Sequence, residues 1–271
     1  MIEYPVFIPF GGDHLAGVVT VPEGSPRGFV LLLQGAGGAP RTHRYRLWTR
    51  AARGLSEVGI ASIRMDYPGI GDSTGSYRFA MEAPPVEEAV AVARLGLERL
   101  GVDSFGVVGN CIGARTALVL ASRMKACVSA ACILPVALGP VLTGRGRTPR
   151  LAGRLISPAS PLGHVLKRAT SRLDSAATFI PEALPASLST RLMFLHGGTE
   201  QTWEQLRAAV ARLDAESKTS SGVEIRSMPS EGRSGFRPLE TQRTVIDSIV
   251  RWMNATLPER ADAVRSEPGA A

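Results

Sequence analysis

The chain has 271 residues, 44% of them hydrophobic and 20% charged, with 31 Lys and Arg against 24 Asp and Glu for a formal net charge of +7. This is the composition of an ordinary globular protein, long enough for one large open-sheet domain or two small ones, and no apolar run approaches the ~18 residues of a membrane span. The opening MIEYPVFIPFGGDH lacks the basic and long apolar regions of a signal peptide, so a cytoplasmic location is expected, and three cysteines, an odd number, predict no disulfide framework.

The first apolar stretches, split by Gly11-Gly12-Asp13, predict an antiparallel hairpin whose second strand covers 15–21. Strand-like runs then follow at 28–34, 60–65, 105–108, 126–134, 191–195 and 223–228. Between and after them, helix-period stretches cover 45–58, 85–100, 112–124, 202–216 and 239–257. Such alternation predicts a mostly parallel sheet with helices on both faces. The stretch 139–190, rich in Pro, Gly, Ser and Arg, interrupts it and is too long for an ordinary loop. The expected organisation is one domain over 1–257 with an insertion at about 139–190, followed by a polar, disordered tail at 258–271.

Nearly all of the excess positive charge lies in that insertion. Arg145, Arg147, Arg150, Arg154, Lys167, Arg168 and Arg172 fall between Gly139 and Leu173 with no acidic residue among them. Two readings remain open: a solvated basic loop, or a surface that attracts anions. Interleaved aromatics for base stacking are absent, so nucleic acid is not an expected partner.

Chemistry concentrates in VVGNCIGARTALVLA, residues 107–121. An apolar strand ends at Val108, Gly109-Asn110-Cys111-Ile112-Gly113 makes a tight turn, and an Ala-rich helix follows at once. Glycines at 109 and 113 let the turn hold Cys111 in strained backbone angles clear of strand and helix. The positive end of the helix dipole then favours the anionic, nucleophilic form of the sulfur. The competing reading of Cys111 is a small buried core residue.

Two more segments complete a pattern. LLLQGAGGAPRTHRYRLW, from Leu31, and RMDYPGIGDSTG, from Arg64, resemble the oxyanion loop and the D-Y-x-G-x-G-x-S-x-G turn of α/β-hydrolases. With the cysteine elbow and Thr42-His43-Arg44, the set most resembles the hydrolases associated with exosortase A systems, and more distantly the cysteine-dependent dienelactone hydrolases. The resemblance implies an α/β-hydrolase fold in which the insertion at 139–190 forms a cap. It implies Cys111 as nucleophile, with the backbone N–H groups of Ala36 and Ile112 forming the oxyanion hole. Glu200, in Gly197-Gly198-Thr199-Glu200, stands where the family's acid falls; the alternative is an acidic residue opening the helix that follows. The family's histidine position aligns with Arg233, which cannot act as a base but can hold a carboxylate or an oxyanion. Of His14, His43, His164 and His196, His43 matches the exosortase-associated pattern and is the expected base. No metal or cofactor is implied.

Three functions follow as expectations. The first is acyl chemistry on an ester or thioester of a small molecule in bacterial secondary metabolism, with the acyl group free or carried on coenzyme A or an acyl carrier protein. The second is a lyase that eliminates a carboxylate such as acetate from an acylated intermediate, as in tetronate-type pathways. The third is a degenerate, non-catalytic hydrolase fold.

Overall fold

The computed structural model describes residues 1–35, 39–77, 84–134, 190–197, 204, 207–208, 210–211, 222–228 and 236–259. Two strands, β1 (Ile2–Phe10) and β2 (Asp13–Val21), pair antiparallel in register from Ile2 with Val21 to Phe10 with Asp13. Their turn places Gly11 and Gly12 at φ of 59° and 89°, a region that glycine enters without steric cost. Six further strands follow: β3 (Phe29–Leu33), β4 (Ala61–Met65), β5 (Phe105–Asn110), β6 (Cys127–Leu134), β7 (Arg191–His196) and β8 (Val223–Ser227). The eight lie in the order β1-β2-β4-β3-β5-β6-β7-β8, antiparallel from β1 to β4 and parallel beyond.

Helices cover both faces. Alternate residues of β3 and β5 divide between two cores, which is why these strands read as unbroken apolar runs. Phe29, Leu31, Leu33, Phe105 and Val107 pack with Ala89, Val92 and Ala93 of α2 (Val86–Leu100) and with Ala114 and Ala117 of α3 (Ile112–Arg123). Val30, Leu32 and Val108 pack against Leu47, Trp48 and Leu55 of α1 (Leu47–Glu57) and against Val245, Ile249 and Trp252 of α4 (Leu239–Thr256). Because β3 has β4 on one side and β5 on the other, the chain reverses its winding direction there. A crevice opens beyond the carboxyl ends of β3 and β5, where open α/β sheets place their ligands.

Two element expectations change. The helix expected from 45 starts at Leu47, because His43, Tyr45 and Arg46 adopt φ of 59°, 59° and 56° and form a separate 3₁₀ turn at Arg44–Arg46. The strand expected to stop at 108 runs on to Asn110, paired with Ile133. Most of the helix expected at 202–216, nearly all of the insertion and the tail beyond Glu259 fall outside the described residues.

Candidate active site

The fold brings Cys111 to the end of β5 at the first position ahead of α3, with φ 56° and ψ −118°. A residue with a side chain holds such angles at a cost of roughly 1–3 kcal/mol, which the surrounding structure must offset. The glycines are required by space. A Cβ on Gly109 would lie 2.0 Å from the Gly113 carbonyl oxygen, and one on Gly113 would lie 2.6 Å from that of Leu33. Gly35, just past β3, approaches the elbow from the other side, where a Cβ would stand 3.0 Å from that of Cys111. Cys111 is half-exposed, whereas Cys127 and Cys132 are buried in β6. Burial pushes the Cys127 thiol up to about 12 and the Cys132 thiol further still.

Ile112 is buried and opens α3, so its N–H belongs to the first helical turn, whose N–H groups have no intrahelical acceptor. Ala36, Glu200, Arg233 and His164 lie outside the described residues.

His43 is described in full, and its surroundings define what it can do. Its ring is buried, 4.9 Å from that of Trp48 and edge-on to Phe236 at 5.5 Å. Nδ1 lies 3.2 Å from the Arg44 carbonyl oxygen, which can only accept, so Nδ1 carries the hydrogen. Nε2 is then the acceptor for the Asn110 amide at 2.7 Å. Burial lowers the pKa of His43 to about 4, outweighing the Arg44 carbonyl, and the ring is neutral at physiological pH. His43 therefore reaches the elbow through Asn110, with both ring nitrogens engaged. Of the other histidines, His14 braces the surface, its backbone N–H donating to Thr74 Oγ1 at 2.9 Å and its ring edge-on to Phe7. His196 ends β7 in a buried position that lowers its pKa.

Several residues to which sequence reasoning assigned no role now join the site. Asp66, fully buried after β4, accepts from the Arg41 backbone N–H at 2.5 Å and pairs with the Arg41 guanidinium, whose other arm reaches Asp72 at 2.6 Å. Ser73 Oγ donates to the Asp66 carbonyl at 2.9 Å and accepts from the Ala16 N–H at 2.8 Å. This clamp ties the strained loop at 43–46 to the D-Y-x-G turn and to the hairpin, which is the work of the Asp and Ser in that motif. Gln34 and Asn110 follow the register partners Leu33 and Gly109 at the carboxyl ends of β3 and β5. Both amide atoms of Gln34 and Oδ1 of Asn110 are buried with no hydrogen-bond partner among the described residues.

A cavity of about 500 Å³ borders the elbow, between the hairpin, the turn at 66–77 and the start of α2. Gly35, Tyr67 and Ile112 form its wall on the side of Cys111. Tyr67 donates from its hydroxyl to the Gln34 carbonyl at 3.3 Å, and burial holds its phenol well above the usual range. Among the described residues no cluster of His, Cys, Asp or Glu could hold a metal, and no helix is long and apolar enough to cross a membrane.

Residues 28–254 match the family model of the alpha/beta hydrolase fold. The structure is similar to Est1E from Butyrivibrio proteoclasticus, solved with ferulic acid bound (TM-score 0.63, 14% identity, 93% of this chain and 98% of that one). It is also similar to the Pyrococcus furiosus esterase Pf2001 (0.61, 17%, 93% and 93%). An alpha-beta serine hydrolase homologue from Coxiella burnetii shows the same likeness (0.58, 16%, 93% and 97%). No curated protein is similar in sequence.

Proposed function

Since this chain belongs to the α/β-hydrolase fold family, we propose that it is an acyl-processing enzyme of the esterase or thioesterase type in which Cys111 replaces the usual serine. The observation that carries this reading is the half-exposed thiol of Cys111, held at φ 56° ahead of α3, while the other two thiols are buried. In this reading the Cys111 thiolate attacks the carbonyl carbon of an ester or thioester. The N–H groups of Ile112 and Ala36 hold the tetrahedral oxyanion, and the alkoxide or thiolate departs with a proton. The acyl-cysteine passes to water or another acceptor. Glu200 is the acid of the set, and Arg233 holds a carboxylate of the substrate. We give His43 the role of fixing the elbow through Asn110 and of supplying a base only when that amide releases Nε2. The substrate is a small-molecule acyl group, on coenzyme A or an acyl carrier protein, in bacterial secondary metabolism.

A second reading rests on His43 itself. A neutral ring with both nitrogens engaged is a poor activator of water, which favours transfer to a stronger nucleophile over hydrolysis. In elimination of a carboxylate such as acetate, the Cys111 thiolate would instead take the acidic C–H proton as the carboxylate leaves and a double bond forms. Intact-protein mass spectrometry after incubation with acyl esters, acyl thioesters and acylated lactones separates the two. An acyl adduct that vanishes in Cys111→Ala, or a carboxylic acid released together with the free alcohol or thiol, supports the first; a carboxylic acid released together with the unsaturated product and no adduct supports the second. No adduct and no turnover across the panel would show a fold without catalysis.

A further inference from the structure

The cavity beside the elbow has a chemical character at odds with the rest of the molecule. In a chain with 31 basic residues, none of the described residues lining it is Lys or Arg, whereas two carboxylates, Asp13 and Glu88, face it. Leu15, Ile70 and Pro68 supply apolar surface along its length. Asp13 belongs to the rim: it is exposed, and Oδ1 already accepts from Thr74 Oγ1 at 3.0 Å. Glu88 sits deeper, half-buried in the first turn of α2. Its carboxylate belongs to the first turn of that helix, whose positive end favours a negative charge. Among the described residues no ion pair neutralises it. Burial raises its pKa, and the neighbouring Glu87 adds to the effect, so the ionised carboxylate is under-solvated where it stands. Gly35 and Ile112, which flank Cys111, line the same cavity as Tyr67 and Glu88, so the carboxylate and the elbow border one space.

We propose that this cavity receives the chain of the substrate that extends past Tyr67 from the reacting carbonyl, and that Glu88 selects a chain ending in an ammonium over one ending in a carboxylate. An under-solvated carboxylate in a mostly apolar pocket gains most from a cation that replaces its lost water, gains less from a hydroxyl, and repels another carboxylate. The apolar side chains of Leu15, Pro68 and Ile70 that line the same cavity suit a short methylene chain. This assignment rests on Cys111 being the reactive group, but it does not require the enzyme to turn over.

The test is therefore a labelling experiment on the full chain. Cys111 is alkylated with iodoacetamides bearing N-butyl, N-(4-hydroxybutyl), N-(4-aminobutyl) or N-(3-carboxypropyl) groups; in each the thiolate displaces iodide. Second-order rates are read by mass spectrometry and divided by those for a free cysteine peptide. The aminobutyl reagent is expected to exceed the carboxypropyl reagent by about tenfold, the ratio that 1.4 kcal/mol of discrimination gives. In Glu88→Gln the ratio should fall to about twofold or less, since only a neutral acceptor remains. The positive charge of the whole chain attracts the carboxylate reagent, so long-range steering works against the expected order. Equal rates for the charged reagents, or a preference unchanged in Glu88→Gln, would overturn the cavity assignment alone. Failure of every reagent to label Cys111 would remove the elbow reading, and this inference with it.

Discussion

At the scale of single residues, His43 couples the site to pH. Its pKa in the folded protein is about 4, against an ordinary value near 6.5, because burial disfavours the charged ring. The unfolded chain therefore binds the proton more readily, and folding stability is fully present above pH 6.5 and lost as pH falls through 4. A depression of this size corresponds to about 3 kcal/mol across the window. His196 shifts in the same direction and adds to the slope. Urea denaturation at pH 7, 5.5 and 4.5 should show stability falling through this range, with a shallower fall in His43→Gln, where the titrating group is gone but a side-chain amide remains for Asn110. Identical slopes in the two proteins would mean that the ring titrates freely. The Cys111, His43 and Asn110 arrangement also shows where sequence reading stops. The elbow was legible because its glycines obey a local steric rule, but the 2.7 Å bond from Asn110 to His43 joins positions 67 apart. No periodicity announces such a pair, and the base expected at His43 is a buried ring packed on Trp48 and Phe236.

Whole elements were easier to read than the loops between them. Parallel strands buried on both faces must be apolar throughout, and α2 must place small residues against the sheet: a Cβ on Gly96 would lie 2.6 Å from the Phe29 ring. The start of α1 was misplaced by two residues because left-handed backbone at Tyr45 and Arg46 leaves no trace in hydrophobic spacing. What holds that strained loop is the clamp at Arg41. Removing one partner of an ion pair whose other member is wholly buried strands a charge, so Arg41→Ala is expected to cost roughly 3 kcal/mol in a urea titration. Arg41→Lys should recover only part of it, since an ammonium cannot fork between Asp66 and Asp72. In the Arg41→Ala background, Asp66→Asn should cost far less than it does alone. Additive effects would show that the two side chains do not work as a unit.

For the molecule as a whole, charge is unevenly shared. The seven basic residues between Gly139 and Leu173, with no acid among them, equal the formal charge of the entire chain, so the remainder balances to zero. We propose that this cluster raises the rate at which anions are captured, an effect that salt screens beyond a Debye length of about 10 Å at 0.1 M. If the acyl group arrives on coenzyme A or an acyl carrier protein, the anionic carrier and the acyl end meet opposite fields: the carrier the arginines, the acyl end the carboxylate of Glu88. Capture of a coenzyme A thioester should then fall several-fold as ionic strength rises from about 0.02 to 0.3 M, while capture of the neutral N-acetylcysteamine thioester with the same acyl group stays nearly constant. Replacing Arg145, Arg147 and Arg150 by Gln should flatten the first dependence and leave the second untouched. Stopped-flow capture rates for the two thioesters decide the matter: if both respond to salt alike, the basic segment is a solvated surface and the carrier is recognised elsewhere, or not at all.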